Sequence, residues 1–320
     1  MKNLFERASS YWVRYDRYEL KEGKNGVQYV TTAPDAKPEV YNPLENPEQL
    51  VLDALNVGLL SMGRKSEEVI RQGVMDFVHK YGLLGFMTAL PTTPQFMEYE
   101  AVYLPKNQYI REETMPTEKY LELFYPFDKL NLVKKGIESS WNINEDRTMQ
   151  ALALTFSEQP MAMNMSFQRQ YSERYDWLTA QFKDWAFHLL TSFFYYEDNA
   201  SLKDEAKKTL HMSMAAFGGM APTYHIALFD KPTIVWDFHS LLLGIQMMFS
   251  FMLTDEDSPL KLCKHCQRVF AASRQSNLFC SPKCKNQYNV SIIFADCIVS
   301  RAEAKMPRGS LTATPTRFLP

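Results

Sequence analysis

The sequence predicts a mainly α-helical body with minor β-hairpins, followed by a small, separately folded C-terminal module. Three observations carry this. Apolar residues recur at helical spacing through much of the stretch from 47 to 253. All five cysteines fall between positions 263 and 297. A polar break over 254–259, with three acids and a proline, separates the two regions. The expected boundaries are a helical domain over 1–255, a cysteine module over 258–305 and a flexible tail over 306–320, where three prolines interrupt any periodicity.

The body opens with a loosely alternating segment over 18–32, interrupted by Lys24-Asn25-Gly26. Asn-Gly supplies the positive φ angles of a tight turn, so a β-hairpin is expected. Residues 34–47 hold four prolines and read as an extended connector. Leu50, Val51, Ala54, Leu55 and Leu59 then mark a helix over 47–62, stopped by Gly63. Ser66 can cap a second helix to Tyr81, with Gly82 ending it. Alternating Tyr99, Ala101 and Tyr103, followed by Pro105-Lys106-Asn107, suggest a strand pair over 97–113.

Helices are expected over 117–125 and 145–156. The stretch 166–196 has no Pro or Gly and reads as the central helix of the body. Ser201 with Asp204 resembles a capping box and opens a further helix, ended by Gly218-Gly219. Short strands over 224–229 and 233–236 lead into a buried helix over 237–253. Its apolar run is broken by Asp237, His239, Ser240 and Gln246, which favours a core helix over a membrane span. The amino terminus, MKNLFERASSYW, lacks the apolar run of a secretory signal, so a cytoplasmic location is expected.

Charge sharpens the division. The whole chain carries a formal charge of only −2. Between positions 258 and 295 stand six basic residues and no acid, namely Lys261, Lys264, Arg268, Arg274, Lys283 and Lys285. The remaining 29 basic and 37 acidic residues leave a balance of −8 elsewhere. A weakly acidic body therefore carries a basic module. Hydrophobic residues at 46% and charged residues at 22% exclude disorder over most of the length.

The module's cysteines follow C-x2-C-x13-C-x3-C, spelled CKHC at 263–266 and CSPKC at 280–284. Two close pairs fit metal binding better than a disulfide framework, which would spread its cysteines through the fold. Four thiolates from Cys263, Cys266, Cys280 and Cys284 complete the tetrahedral shell that one structural zinc prefers. Ser281 suits an N-cap and Pro282 the first helical turn, so the second pair is placed at a helix start. That helix is expected to run to about Lys305, with Tyr288, Ile292, Ala295 and Val299 on one stripe. Val269-Phe270 suits a short strand, and Phe279 a place in the small core. A knuckle, a hairpin and a helix carrying the second pair make a treble-clef-like finger.

The segment LCKHCQRVF…SNLFCSPKCKNQYNV resembles the carboxy-terminal zinc finger of the bacterial CGNR family. Those proteins join the finger to a largely helical amino-terminal domain and are regarded as transcription regulators. The resemblance covers about thirty residues, and of the family's Gly-Asn-Arg after the last cysteine only Asn286 is matched. It implies a DNA-binding regulator, with Lys264, Arg268, Arg274, Lys283, Lys285 and Asn286 as candidate contacts to phosphates or bases.

Alternatives remain at this stage. The basic residues also read as a solvated face that balances the charge of a zinc–thiolate centre, or as a surface docked on the acidic body. A protein partner or a homodimer then replaces DNA, and the zinc is purely structural. CKHC has the form of a redox dithiol, but no thioredoxin-like pattern surrounds it. His265 and Cys297 are not needed as ligands. An enzyme is the least supported reading. No phosphate loop, dinucleotide fingerprint or nucleophile elbow is present. His188, His225 and His239, the latter two near Asp230 and Asp237, are expected to be hydrogen-bonded structural residues. Met161, Met163 and Met165 read as packing residues.

Overall fold

A computed structural model describes residues 8–9, 12–63, 65–93, 96, 99–127, 170–197, 201–215, 217–218, 222–255, 259–274 and 276–290. The helix expected over 145–156, the three alternating methionines, Cys297 and the tail lie outside them. The chain divides into two compact units, Met1–Pro259 and Leu260–Pro320.

Capping chemistry sets the first helices where the sequence places them. In α1 (Pro47–Met62) the Asn46 side chain accepts the Gln49 N–H, Pro47 occupies the first turn, and Gly63 closes the end. In α2 (Glu67–Tyr81) Ser66 caps the Val69 N–H, and Gly82 takes φ 84°, a conformation that favours glycine. The helix α3 (Phe86–Ala89) is a single turn, and α4 (Thr117–Glu122) is short. The longest described helix, α5 (Tyr175–Glu197), packs against α1. Gly58 permits their close approach, since a Cβ there would lie 2.0 Å from the Phe182 carbonyl oxygen. Among the described residues the helices α6 (Asp204–Ala215) and α7 (Leu241–Leu253) follow, the latter capped by Ser240.

The expectation of a helical body with minor hairpins is not what the structure shows. Small sheets are threaded through the whole first unit, and most of them join distant segments. The short strand β1 (Ala8–Ser9) runs parallel to β10 (Pro232–Asp237), which pairs antiparallel with β9 (Thr223–Leu228). Strand β2 (Trp12–Tyr15) pairs with β5 (Pro38–Tyr41). Strands β3 (Tyr18–Glu22), β4 (Gln28–Thr32) and β8 (Ser172–Arg174) form a further sheet, and β6 (Ala101–Tyr103) pairs with β7 (Thr114–Pro116).

Particular residues explain the differences. The proline-rich connector contains a strand because Pro38 stands at the first position of β5, where a missing N–H is tolerated. The hairpin of β3 and β4 closes through a longer loop than a two-residue turn. Residues Lys24–Gly26 form a 3-10 turn, and the Gly23 N–H reaches the Val27 carbonyl at 2.7 Å. The central helix starts at Tyr175 because Ser172–Arg174 pairs with β4. The helix opened by the Ser201 region starts at Asp204, and the last helix of the unit starts at Leu241, after its Ser240 cap.

The core is aromatic. Trp177 meets Phe86, Tyr109 and Phe124 with centroid distances of 5.3–5.9 Å, a range that suits edge and offset ring contacts. Within it lies a fully buried carboxylate. Glu173 accepts the N–H groups of Leu84, Gly85 and Phe86 at 2.6–2.9 Å and the Tyr171 hydroxyl at 2.6 Å. Burial pushes its pKa up, and these four donors oppose the rise by stabilising the anion.

Candidate metal centre

The second unit is built around sulfur. Strand β11 (Leu260–Leu262) pairs with β12 (Val269–Ala271), and the first cysteine pair sits in the turn between them. The Cys263 N–H donates to the Arg268 carbonyl at 2.9 Å, and the Gln267 N–H donates to the Cys263 carbonyl at 2.9 Å. This tight turn forces Gln267 to φ 60°, in the left-handed region where non-glycine residues are uncommon. The Lys264 N–H donates to the Leu278 carbonyl at 3.0 Å and so ties the turn to the segment before the third cysteine.

The second pair stands at a helix start. Residues 282–290 are helical, designated α8. The Ser281 hydroxyl accepts the Cys284 N–H at 3.2 Å, the expected N-cap contact. Cys280 lies just before the helix and Cys284 in its first turn. The Phe279 ring packs on Tyr288 with centroids 5.2 Å apart.

The four sulfurs of Cys263, Cys266, Cys280 and Cys284 all lie within 4.8 Å of one another. Cys266 and Cys280 sulfurs are 3.7 Å apart, and those of Cys280 and Cys284 are 3.5 Å apart. None of the four forms a disulfide. A tetrahedron with metal–sulfur bonds of about 2.3 Å has edges of about 3.8 Å, which these separations approach. This cluster can bind a metal ion, and it is the one such grouping of His, Cys, Asp and Glu among the described residues.

The electrostatics point the same way. Burial raises the Cys263 thiol, but N–H groups of Cys266, Cys280 and His265 more than reverse this and hold it at about 6. Burial and the neighbouring thiols of Cys284, Cys263 and Cys266 push Cys280 up to about 12. Cys266 is raised too, first by burial. One ready thiolate thus makes further thiolates costly beside it. A metal cation held by the four sulfurs would remove that conflict, with release of protons.

The candidate contact residues surround this cluster. Lys264 lies between the cysteines of the first pair and Arg268 two residues after it, Arg274 lies in the connecting loop, and Lys283, Lys285 and Asn286 lie on α8. All six are exposed. None of the five cationic side chains forms a salt bridge among the described residues.

The three histidines singled out in the body make hydrogen bonds. His188 is buried, with Nδ1 2.8 Å from the Asp184 carbonyl, so that nitrogen carries the proton. His225 Nδ1 lies 2.7 Å from the Asp237 carboxylate, and His239 Nε2 lies 2.7 Å from the Thr223 hydroxyl. Sequence reasoning did not find Glu173 or Gln267. A lone Glu in a stretch without Pro or Gly looks like a helix surface residue, and nothing in the residue type announces that Gln267 adopts positive φ.

No family model, curated protein or solved structure matches this chain. No helix among the described residues is long and apolar enough to cross a membrane.

Proposed function

We propose that the cysteine cluster holds one structural zinc ion and that the module around it is a nucleic-acid-binding finger of a DNA-binding transcription regulator. The zinc assignment rests on four sulfurs within 4.8 Å of one another, two of whose separations, 3.7 and 3.5 Å, approach a tetrahedral edge. Four protein ligands leave no open position for substrate, so the ion orders the fold and performs no reaction. Thiolate sets also suit iron, and elemental analysis distinguishes the two.

The observation that carries the nucleic-acid reading is the exposed, acid-free surround of the cluster. Lys264, Arg268, Arg274, Lys283 and Lys285 present five cations to solvent without an acidic partner among the described residues. Such a surface suits phosphate contacts, and Asn286 in the first turns of α8 adds a candidate base or phosphate contact. The resemblance to the CGNR finger supports the same reading.

A salt titration of duplex DNA binding tests it. If these five cations meet phosphates, log K falls against log salt with a slope of about −4 to −5. Lys283→Glu with Lys285→Glu flattens that slope and weakens binding. Absence of binding at low salt, or an unchanged slope in the double variant, rejects the reading. A second reading, docking of a protein partner, is favoured by Leu278 and Val290, which are exposed on the same module. Leu278→Ser with Val290→Ser would abolish partner capture while leaving any DNA binding intact.

A further inference from the structure

The register of β9 and β10 places Tyr224 opposite Trp236, Ile226 opposite Ile234 and Leu228 opposite Pro232. Because side chains alternate along a strand, these six residues share one face, and all six are apolar. The other face carries Thr223, His225, Ala227, Thr233, Val235 and Asp237, of which Val235 and Asp237 are buried. The usual pattern of a half-buried antiparallel sheet, apolar side in and polar side out, is not kept: Val235 and Asp237 are buried, Thr223 and His225 reach solvent, and the apolar face lies largely open.

The exposure is large. Leu228 is 81% exposed and Ile226 66%, and Tyr224, Ile234 and the adjacent Phe229 are each more than half exposed. Given about 200 Å² for a large side chain, the four of these that lie on the face, Leu228, Ile226, Tyr224 and Ile234, offer on the order of 500 Å². That is the upper end of what a monomer leaves bare, about 300–600 Å². It also approaches the roughly 800 Å² that each partner contributes to a stable pair.

We propose that this face is a self-association surface, covered by the same face of a second copy of the chain about a two-fold axis. A strand face without charge offers no complement to an acidic or basic partner. The rim at the hairpin tip carries exposed Asp230 and Lys231, one charge of each sign, so the patch is neutral and complementary to itself. An isologous contact requires that property. Two hairpins packed face to face bury Tyr224, Ile226, Leu228 and Ile234, which neither hairpin does alone. The inference is independent of the metal and of nucleic acid.

Sedimentation velocity on the full chain, without nucleic acid and over a wide concentration range, tests it. The expected result is a species of twice the chain mass that dissociates on dilution. Ile226→Lys and Leu228→Lys each weaken the association roughly tenfold or more while circular dichroism is unchanged, because both residues face solvent in the monomer. If a lysine variant loses its fold, Ile226→Thr replaces it, keeping strand preference while removing apolar area. A wild-type chain that stays monomeric at every concentration overturns the proposal. So does a dimer that survives these substitutions.

Discussion

The two units hold themselves together by different means. In Met1–Pro259 large side chains such as Trp185, Tyr120, Phe86 and Phe182 are fully buried, and rings interlock around Trp177. In Leu260–Pro320 only Leu260, Cys263, Val269 and Ala272 are buried among the described residues. Four small or medium side chains do not supply the apolar burial that a stable fold needs. The difference teaches that the first unit is a hydrophobic fold, whereas the second has little apolar core and a cysteine cluster that can hold a metal ion. Each also has a polar centre of its own kind. Glu173 is a buried carboxyl group met by four fixed donors, whereas the cysteines are potential anions crowded together, which a cation would answer.

Metal removal should break the comparison most strongly. Structural zinc sites bind with an apparent free energy on the order of 10 kcal/mol, which is folding free energy for the module. Chelation is therefore expected to abolish amide protection over 260–290 and leave protection in α1 and α5 intact. Loss of protection in both units together would mean that they are not stabilised separately.

Next in size is the body's polar centre. Glu173→Ala leaves three buried backbone N–H groups and the Tyr171 hydroxyl without their acceptor. The expected cost is about 3–5 kcal/mol, read from urea denaturation of the body. Glu173→Gln should recover only part of it, because one of its two terminal groups is a donor facing donors.

A smaller change sharpens the module side. Gln267→Gly relieves the left-handed backbone of the first cysteine turn and should stabilise the metal-bound module by about 1 kcal/mol. Its melting temperature measures this.

The smallest effect is on pH. Burial lowers the His239 pKa, with Asp237 only partly opposing. The folded body thus favours the neutral imidazole. Its stability contribution is full above the unfolded value of about 6.5 and is lost as pH falls through the lower folded value. The urea midpoint should drop over that range, and less so in His239→Gln.

How much of this was legible in the sequence follows from the range of the interactions. Helices α1 and α2 were readable because Asn46-Pro47 and Ser66, with Gly63 and Gly82, act within a few residues. The two short strands read over 224–229 and 233–236 correspond to β9 and β10, while their pairing comes from the structure. The pairing of β8 with β4 was not, since Glu173 and Val30 meet across more than a hundred residues without a local signal. The helical reading of 166–196 failed at that point, and the simple helical body failed with it. The cysteine cluster was the most legible feature, because metal-ligand spacing is a local property of a turn and a helix start. The open apolar face of β9 and β10 was not read from the sequence, because it depends on their register and on what covers each side.

The central claim is that the second unit is organised by one zinc ion held by four cysteines. Elemental analysis of the purified chain tests it most directly. About one zinc per chain, lowered in Cys284→Ser together with amide protection over 260–290, is the predicted result. A chain that contains no zinc, or another metal in its place, or that keeps a protected module after chelation, would contradict it.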